Sequence, residues 1–164
     1  MATTAYEPRT KVWTLDPARS TAEFAQRTFW GLMTVHGHFD SLEGTYDGRS
    51  IDLKIDGASL DTKNTKRDHH LRSEDFFHVE KHPHVRFTST NVTEFDGGIV
   101  RVSGELEARG TRVPLTFEAQ KREAGDELEL EATTTVDPRA LGMSAGQLGM
   151  IRGLTTLHVR ARLV

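Results

Sequence analysis

The chain has 164 residues, of which 36% are hydrophobic and 27% charged, and its formal net charge is −3 because 21 Lys and Arg residues nearly balance 24 Asp and Glu residues. This length favours one domain with its own core, and the balanced charge without a basic block argues against a nucleic-acid surface. No apolar run approaches the roughly 18 residues that span a bilayer, and the absence of cysteine excludes disulfides, thiolate metal sites and a Cys nucleophile.

The first residues carry neither the basic start nor the apolar stretch of a signal peptide. We therefore expect a flexible N-terminal arm over residues 1–11, a single domain over residues 12–164 and a cytoplasmic location.

Apolar and polar residues alternate along most of the chain. The alternation is strongest over 51–56, 100–109, 113–120, 127–136 and 157–163, and weaker strands are predicted over 12–15, 22–29, 34–46 and 85–95. A period of two gives each strand one buried and one wet face, which is typical of antiparallel sheets. Within 34–46 the phase slips between Phe39 and Leu42, which predicts a bulge or a barrel corner.

Two stretches interrupt this pattern. Residues 61–83 are polar and predict one short helix and a further turn, with possible caps at Asn64 and Ser73 and a stop at Pro83. Residues 138–153 are rich in Gly and Met and predict a long loop with one helical turn, a length often found in functional lids.

Antiparallel strands with one apolar face form either a barrel or a sandwich. Long strands and a single insertion favour the barrel, because a closed sheet exposes no edge. We predict an all-β fold, an antiparallel eight-stranded barrel with a short helical insertion over one end. Its inward residues include several small ones, which either fit a tapering barrel or leave a void, and we favour the void: Ala22, Gly37, Gly104, Ala108, Ala119, Ala132 and Ala161.

Motifs along the chain, from Trp13 to Val164, resemble those of the YceI-like family, the lipocalin-like polyisoprenoid-binding proteins. The most specific is the run Asp68-His69-His70-Leu71-Arg72-Ser73-Glu74-Asp75-Phe76-Phe77, followed by Pro83. The others are Trp13-Thr14-Leu15-Asp16 with Ser20 and Phe24, Gly37-His38-Phe39, Gly104-Glu105-Leu106, Gly110-Thr111-Arg112-Val113-Pro114-Leu115, and Arg139 with Gly142. The chain departs from the family at Arg19, where a histidine is usual.

This resemblance implies a lipocalin-like barrel whose apolar tunnel holds an isoprenoid or another long-chain lipid, with no other cofactor. Many members carry a signal peptide and act in the periplasm, a feature that is not visible here. The resemblance is also compatible with a homodimer. We expect no nucleic-acid partner and no integral membrane segment.

Candidate ligand-binding residues are apolar residues of the strands, the helical segment and the late loop. They are Phe24, Phe29, Trp30, Phe39, Leu53, Phe76, Phe87, Val102, Leu106, Phe117, Met143 and Met150. For Phe76 and Phe77, a plug that packs the helix over one barrel end is favoured over the alternative that Phe76 forms part of the tunnel wall. Residues Met143, Leu148, Met150 and Ile151 form either a flexible apolar gate or a loop tucked against the barrel.

Histidines are concentrated in one part of the chain. His69, His70, His78, His82 and His84 fall within residues 69–84, and His36 and His38 alternate on one predicted strand. Such a cluster can bind zinc, copper or nickel, so a metal-dependent enzyme or metal-binding protein is the alternative function. Since no spacing matches His-Glu-x-x-His, we favour a solvated surface and expect no metal site.

Catalytic motifs are not found: the chain has no Gly-x-Ser-x-Gly elbow, P-loop or dinucleotide fingerprint. We therefore expect no catalytic residue. The leading hypothesis is non-enzymatic binding of a long-chain apolar ligand, such as a polyisoprenoid, an isoprenoid quinone or a fatty amide, for storage, transport or sequestration. A related hypothesis is a scavenger that accepts diverse hydrophobic small molecules.

Overall fold

Eleven β-strands and one α-helix form the regular structure of the described residues, 11–28, 33–143 and 152–164, in this computed structural model. The strands are β1 (Trp13–Thr14), β2 (Thr21–Thr28), β3 (Met33–Phe39), β4 (Leu42–Tyr46), β5 (Ile51–Asp56), β6 (Leu60–Asp61), β7 (His84–Glu94), β8 (Ile99–Ala108), β9 (Thr111–Ala124), β10 (Glu127–Val136) and β11 (Arg152–Leu163). The helix is α1 (Thr65–Arg72), and short 3-10 helices cover Pro17–Arg19, Gly57–Ser59, Asp96–Gly98 and Pro138–Leu141.

The strands form one antiparallel sheet in the order β1-β4-β5-β7-β8-β9-β10-β11-β2-β3-β6. This confirms the predicted all-β antiparallel barrel, but the strand count of eight was wrong. The predicted strand over 34–46 is divided at Asp40 and Ser41 into β3 and β4, so the slip in its phase marks a corner. The two-residue strands β1 and β6 add to the count, and β6 is too short to show a period of its own.

Backbone hydrogen bonds of residues 14–16 join the two sides of the curled sheet. Thr14 N–H donates to the carbonyl of Val164, and Val164 N–H donates back to Thr14, both at 2.9 Å. On the other side, Leu15 N–H donates to the carbonyl of Gly44 at 2.9 Å. The first strand therefore links β4 to β11, which removes the exposed edges that an open sheet would leave there.

The predicted alternation sets which residues form the core. In β8, Val100 and Val102 are fully buried while Arg101 between them is exposed. The outer face carries ion pairs such as that of Arg160 with Glu131, at 2.8 Å. Exposed pairs of this kind contribute little to stability, so the apolar inner face carries most of the folding energy.

The helical insertion lies at the end of the barrel where β8 turns into β9. Asn64 is the N-cap of α1 and accepts a hydrogen bond from Arg67 N–H at 2.9 Å, and Ser73 is its C-cap, with its N–H donating to the carbonyl of His70 at 3.0 Å. Arg109, in the β8–β9 turn, donates to the carbonyl of Glu74 at 2.6 Å and to that of Gly142. These bonds confirm the predicted position of the insertion over one end.

The late loop is described only in part. Its predicted helical turn is the 3-10 helix Pro138–Leu141, and the rest of it, 144–151, lies outside the described residues. In the described part of the chain, no helix has the length and apolarity needed to cross a membrane.

Candidate functional site

A cavity of about 210 Å³ lies inside the barrel. Strands β2 to β5 and β7 to β11 contribute to its wall, together with α1, the 3-10 helix Pro138–Leu141 and the segment after α1. Nearly all its side chains are aliphatic or aromatic. The acidic residues Glu23 and Asp52 border the cavity, but their carboxylates face outward, where they lie close to His158 and Arg86.

Most predicted site residues meet at this cavity. Those that line it are Phe24, Phe39, Leu53, Phe76, Phe87, Leu106, Phe117 and Met143. Val102 does not: it is fully buried beside Val92 and Phe117 in neighbouring strands and belongs to the solid part of the core. Phe29, Trp30 and Met150 lie outside the described residues, as do Leu148 and Ile151 of the predicted gate.

The small inward residues behave in two different ways. The alanines border the cavity, as the predicted void requires: Ala22, Ala108, Ala119, Ala132 and Ala161. Gly37 and Gly104 do not border it: a side chain at position 37 would meet the Phe24 ring, and one at position 104 would meet the Thr88 carbonyl and the Phe87 ring. The ring of Phe24 lies over Gly37, and that of Phe87 lies over Gly104. The cavity is therefore left by the alanines, and the glycines allow the barrel wall to accept large rings.

Phe76 combines the two roles that the sequence left open, plug and wall, and Phe77 shares them. Both line the cavity, and both follow the helix that covers this barrel end. The Phe77 ring meets Phe39 edge-on at 5.7 Å between centroids, and the Phe76 ring meets His70 in the same way at 5.0 Å. Edge-to-face packing of this kind fixes ring orientation, so the covering segment is held against the cavity by its own aromatic wall residues.

A polar pair on the wall was missed by sequence reasoning. The Thr155 hydroxyl donates to Gln26 Oε1, and Gln26 Nε2 donates to the carbonyl of Arg27 at 2.9 Å. Gln26 is 8% exposed, and its position two residues after Phe24, in the inward phase of β2, was the available signal. Because buried polar groups need partners, this pairing lets an amide lie on an otherwise apolar wall.

Tyr46 lies between the cavity and a charged pair. Its hydroxyl donates to Glu94, and Lys121 Nζ lies 3.0 Å from both oxygens of that carboxylate. Burial, followed by the nearby Glu94, raises the pKa of Tyr46 well above its ordinary range. The hydrogen bond from Tyr46 in turn lowers the pKa of Glu94. This arrangement keeps the charge outside the cavity and presents a neutral phenol to it.

The histidines of residues 69–84 do not form a metal site in the described structure. Within residues 11–28, 33–143 and 152–164, a single group of three potential ligands converges, and it consists of His38, Asp40 and Asp61. Of the clustered histidines, His70 pairs with Asp75 at 3.0 Å, and the His78 ring packs edge-on against the His82 ring. The alternative function based on residues 69–84 gains no support from this geometry.

A family model matches nearly the whole chain, and curated relatives match part of it. A family model described as the YceI-like domain matches residues 13–163. "Protein YceI" from Escherichia coli O6:H1 is 35% identical over 104 residues, 59% of this chain and 54% of its own length. The chain thus matches about half the length of such curated relatives.

Solved structures with low sequence identity share the fold. BcnA from Burkholderia cenocepacia superposes with a TM-score of 0.80 at 17% identity, covering 90% of this chain and 98% of its own. A polyisoprenoid binding domain from Saccharophagus degradans, implicated in plant cell wall breakdown, gives a TM-score of 0.76 at 16% identity, covering 92% and 97%. At these identities the likeness establishes the barrel architecture.

Proposed function

This chain belongs to the YceI-like family, and we propose that it binds a long-chain apolar ligand inside its barrel without catalysing a reaction. A polyisoprenoid, an isoprenoid quinone or a fatty amide has the required chemistry. The observation that carries the proposal is the interior cavity of about 210 Å³ with its nearly continuous apolar wall. The name of the Saccharophagus degradans domain, which has the same fold, adds support for a polyisoprenoid.

The free energy of unfilled apolar space favours a bound ligand. In an enclosed core, unfilled space costs about 24 cal/mol per Å³, so an apolar wall that meets no other side chain forgoes packing energy. Apolar cavities exclude water and take up apolar guests instead. A ligand that fills this space would therefore recover packing energy that the protein alone forgoes.

Chain length is the main source of affinity in such a site. Each buried methylene contributes about 0.8 kcal/mol, so the gain grows with the number of carbons that the barrel takes up, against an association cost of roughly 4–15 kcal/mol. Affinity of this kind needs no charged anchor. Selectivity would then depend on the length and width of the ligand chain, as expected for storage, transport or sequestration.

Native mass spectrometry of untagged protein tests for a natural ligand. We expect a fraction of the molecules to carry an apolar compound of several hundred daltons, which organic extraction releases. Protein that is purified from its native host and remains wholly ligand-free would contradict the proposal. A mixture of unrelated lipids at similar occupancy would instead favour the broader scavenging role.

Two variants that add the same ring at different positions test whether the ligand binds inside the cavity. Ala132→Phe adds a ring at a position that borders the cavity, whereas Thr133→Phe adds the same ring on the outer face of β10. With a fluorescent polyene fatty acid as the probe, we expect Ala132→Phe to weaken binding more than about tenfold, which corresponds to about 1.4 kcal/mol. Thr133→Phe should bind as the unmodified protein does. Equal binding by both variants would mean that the probe binds elsewhere.

A further inference from the structure

His38, Asp40 and Asp61 converge on the outer side of the barrel, and none of them borders the cavity. The imidazole Nε2 and one oxygen of each carboxylate lie within 4.8 Å of one another. We propose that these three residues, named here the His38 cluster, bind a divalent transition-metal ion. Zn²⁺ suits this donor set best, since it accepts imidazole and carboxylate ligands together and often completes its shell with water.

Spacing within the His38 cluster fits a tetrahedral ion. Bonds of about 2.0–2.2 Å at tetrahedral angles place ligand atoms roughly 3.3–3.5 Å apart. His38 Nε2 lies 2.9 Å from Asp40 Oδ1 and 3.9 Å from Asp61 Oδ2, values on either side of that spacing. For these two distances from His38 Nε2, a change of about half an ångström reaches the spacing of a tetrahedral ion, and all three ligand atoms lie within 4.8 Å of one another.

The backbone holds these residues in place. His38 and Asp61 are direct partners in the β3–β6 pair, and Asp40 follows His38 by two residues. Asp61 Oδ1 accepts the backbone N–H of Lys63 at 2.8 Å, while Asp61 Oδ2 is the oxygen on the His38 side. This backbone bond is the main reason that the pKa of Asp61 is lowered. An outer hydrogen bond that orients a ligating carboxylate is a usual feature of metal sites.

His158 also lies beside two carboxylates, but their arrangement does not suit a metal ion. Glu23 lies 3.6 Å from His158 Nδ1, and Glu131 lies 3.2 Å from His158 Nε2. Because these carboxylates flank opposite ring nitrogens, one ion cannot bind a single nitrogen together with both of them. In the His38 cluster both aspartates approach the same nitrogen, Nε2. His158 is therefore a suitable control, because it also has two carboxylate neighbours but cannot share one ion with both.

Lys63 competes with a metal ion for the same carboxylate. Its Nζ lies 3.3 Å from Asp61 Oδ2, yet 81% of its side chain is exposed, so the ammonium group is free to move away. Lys63→Met would remove this positive charge and keep the backbone N–H that orients Asp61. We expect the variant to bind Zn²⁺ more tightly than the unmodified protein.

Competition between untagged protein and a fluorescent zinc indicator tests the site. We expect about one Zn²⁺ per chain, no binding by His38→Ala, and affinity lowered by more than about tenfold in Asp61→Asn, since even outer-shell losses cost 10–100-fold. His158→Ala should bind as the unmodified protein does. Co²⁺ bound in place of zinc should give the intense visible bands of a tetrahedral N/O site, and these should vanish in His38→Ala.

Two further measurements distinguish loss of the metal site from misfolding of a variant. Circular dichroism and binding of the fatty-acid probe should be unchanged in all four variants, because the His38 cluster does not border the cavity. The proposal is overturned if the unmodified chain does not compete with the indicator. It is equally overturned if His38→Ala retains full zinc binding, or if His158→Ala loses as much as His38→Ala.

Discussion

The ring of Phe24 occupies the space where a side chain at position 37 would lie. Phe24 and Gly37 are direct partners in the β2–β3 pair. A Cβ on Gly37 would lie 2.6 Å from Cε1 of that ring and 2.9 Å from the methyl carbon of Thr62. Both distances are shorter than van der Waals contact, so the absence of a side chain at position 37 sets the position of a ring that lines the cavity.

Gly37→Ala should therefore destabilise the protein and alter the cavity together. The added methyl group forces the Phe24 ring to move, and overpacking of this kind costs about 1–3 kcal/mol. A ring displaced toward the cavity would also weaken binding of the fatty-acid probe. Urea denaturation and a probe titration measure the two effects.

A double-mutant cycle identifies the Phe24 ring as the cause. Phe24→Leu in the Gly37→Ala background reduces the steric conflict, so the double variant should lose less stability than the two single changes predict by addition. Strict additivity would show that the collision with Thr62, rather than with Phe24, determines the cost of Gly37→Ala.

Phe24 and Gly37 also show what the alternation of apolar and polar residues can and cannot predict. Alternation correctly placed Gly37, Ala132 and Val102 on inward phases of their strands. It could not tell which of them border the cavity, because depth along the barrel depends on the register and tilt of neighbouring strands. Val102 accordingly lies in the solid core, and Gly37 lies beneath a ring supplied by another strand.

The closed barrel was predicted, but the individual pairings between distant residues were not. The closure of the sheet rests on Thr14 and Val164, which are 150 positions apart, and the polar pair in the wall joins Gln26 to Thr155. Local patterns contain no information on such pairings. The helix was predictable, by contrast, because its cap at Asn64 acts within a single turn.

Asp68 anchors the helix to the barrel, and its loss should be costly. Its Oδ1 accepts the Thr62 backbone N–H at 2.9 Å and also the Thr62 hydroxyl, and both residues are buried. Asp68→Ala leaves these donors without that acceptor, so we expect a loss of about 1–3 kcal/mol in urea denaturation. Asp75→Asn, an exposed change near the same helix, should cost less than about 0.5 kcal/mol; a similar loss there would contradict the anchoring role.

Arg109 connects the two segments that cover one barrel end, and its removal should speed ligand exchange. Its guanidinium donates to Glu74 in the helical insertion and to Gly142 after the 3-10 helix. Arg109→Ala should raise the dissociation rate of the fatty-acid probe several-fold in stopped-flow measurements. Arg109→Lys has one donor group instead of a fork, so it should restore the slow rate in part at most. Unchanged dissociation in Arg109→Ala would show that exchange does not depend on these segments.

Glu94 should make stability depend on acid pH. The hydrogen bond from Tyr46, together with Lys121, lowers the pKa of Glu94 in the folded protein below its ordinary value of 4.5. A carboxyl group of lowered pKa stabilises the fold fully above its unfolded pKa, and this contribution is lost as the pH falls through the lower folded value. Glu94→Gln should therefore cost about 1 kcal/mol at pH 7, and the difference from the unmodified protein should shrink below about pH 4.5.

Tyr46 should make stability depend on alkaline pH, with the opposite sign to the effect of Glu94. Burial and Glu94 raise the pKa of Tyr46, so its contribution is present below the ordinary phenol pKa of about 10 and is lost as the pH rises through the higher folded value. Tyr46→Phe should therefore reduce the fall in stability above pH 10 and also reduce the acid loss, of which the part due to Lys121 remains. Urea denaturation at a series of pH values from 3 to 11 measures both the acid and the alkaline loss of stability. If Glu94→Gln and the unmodified protein gave parallel curves at acid pH, Glu94 would not be the titrating group.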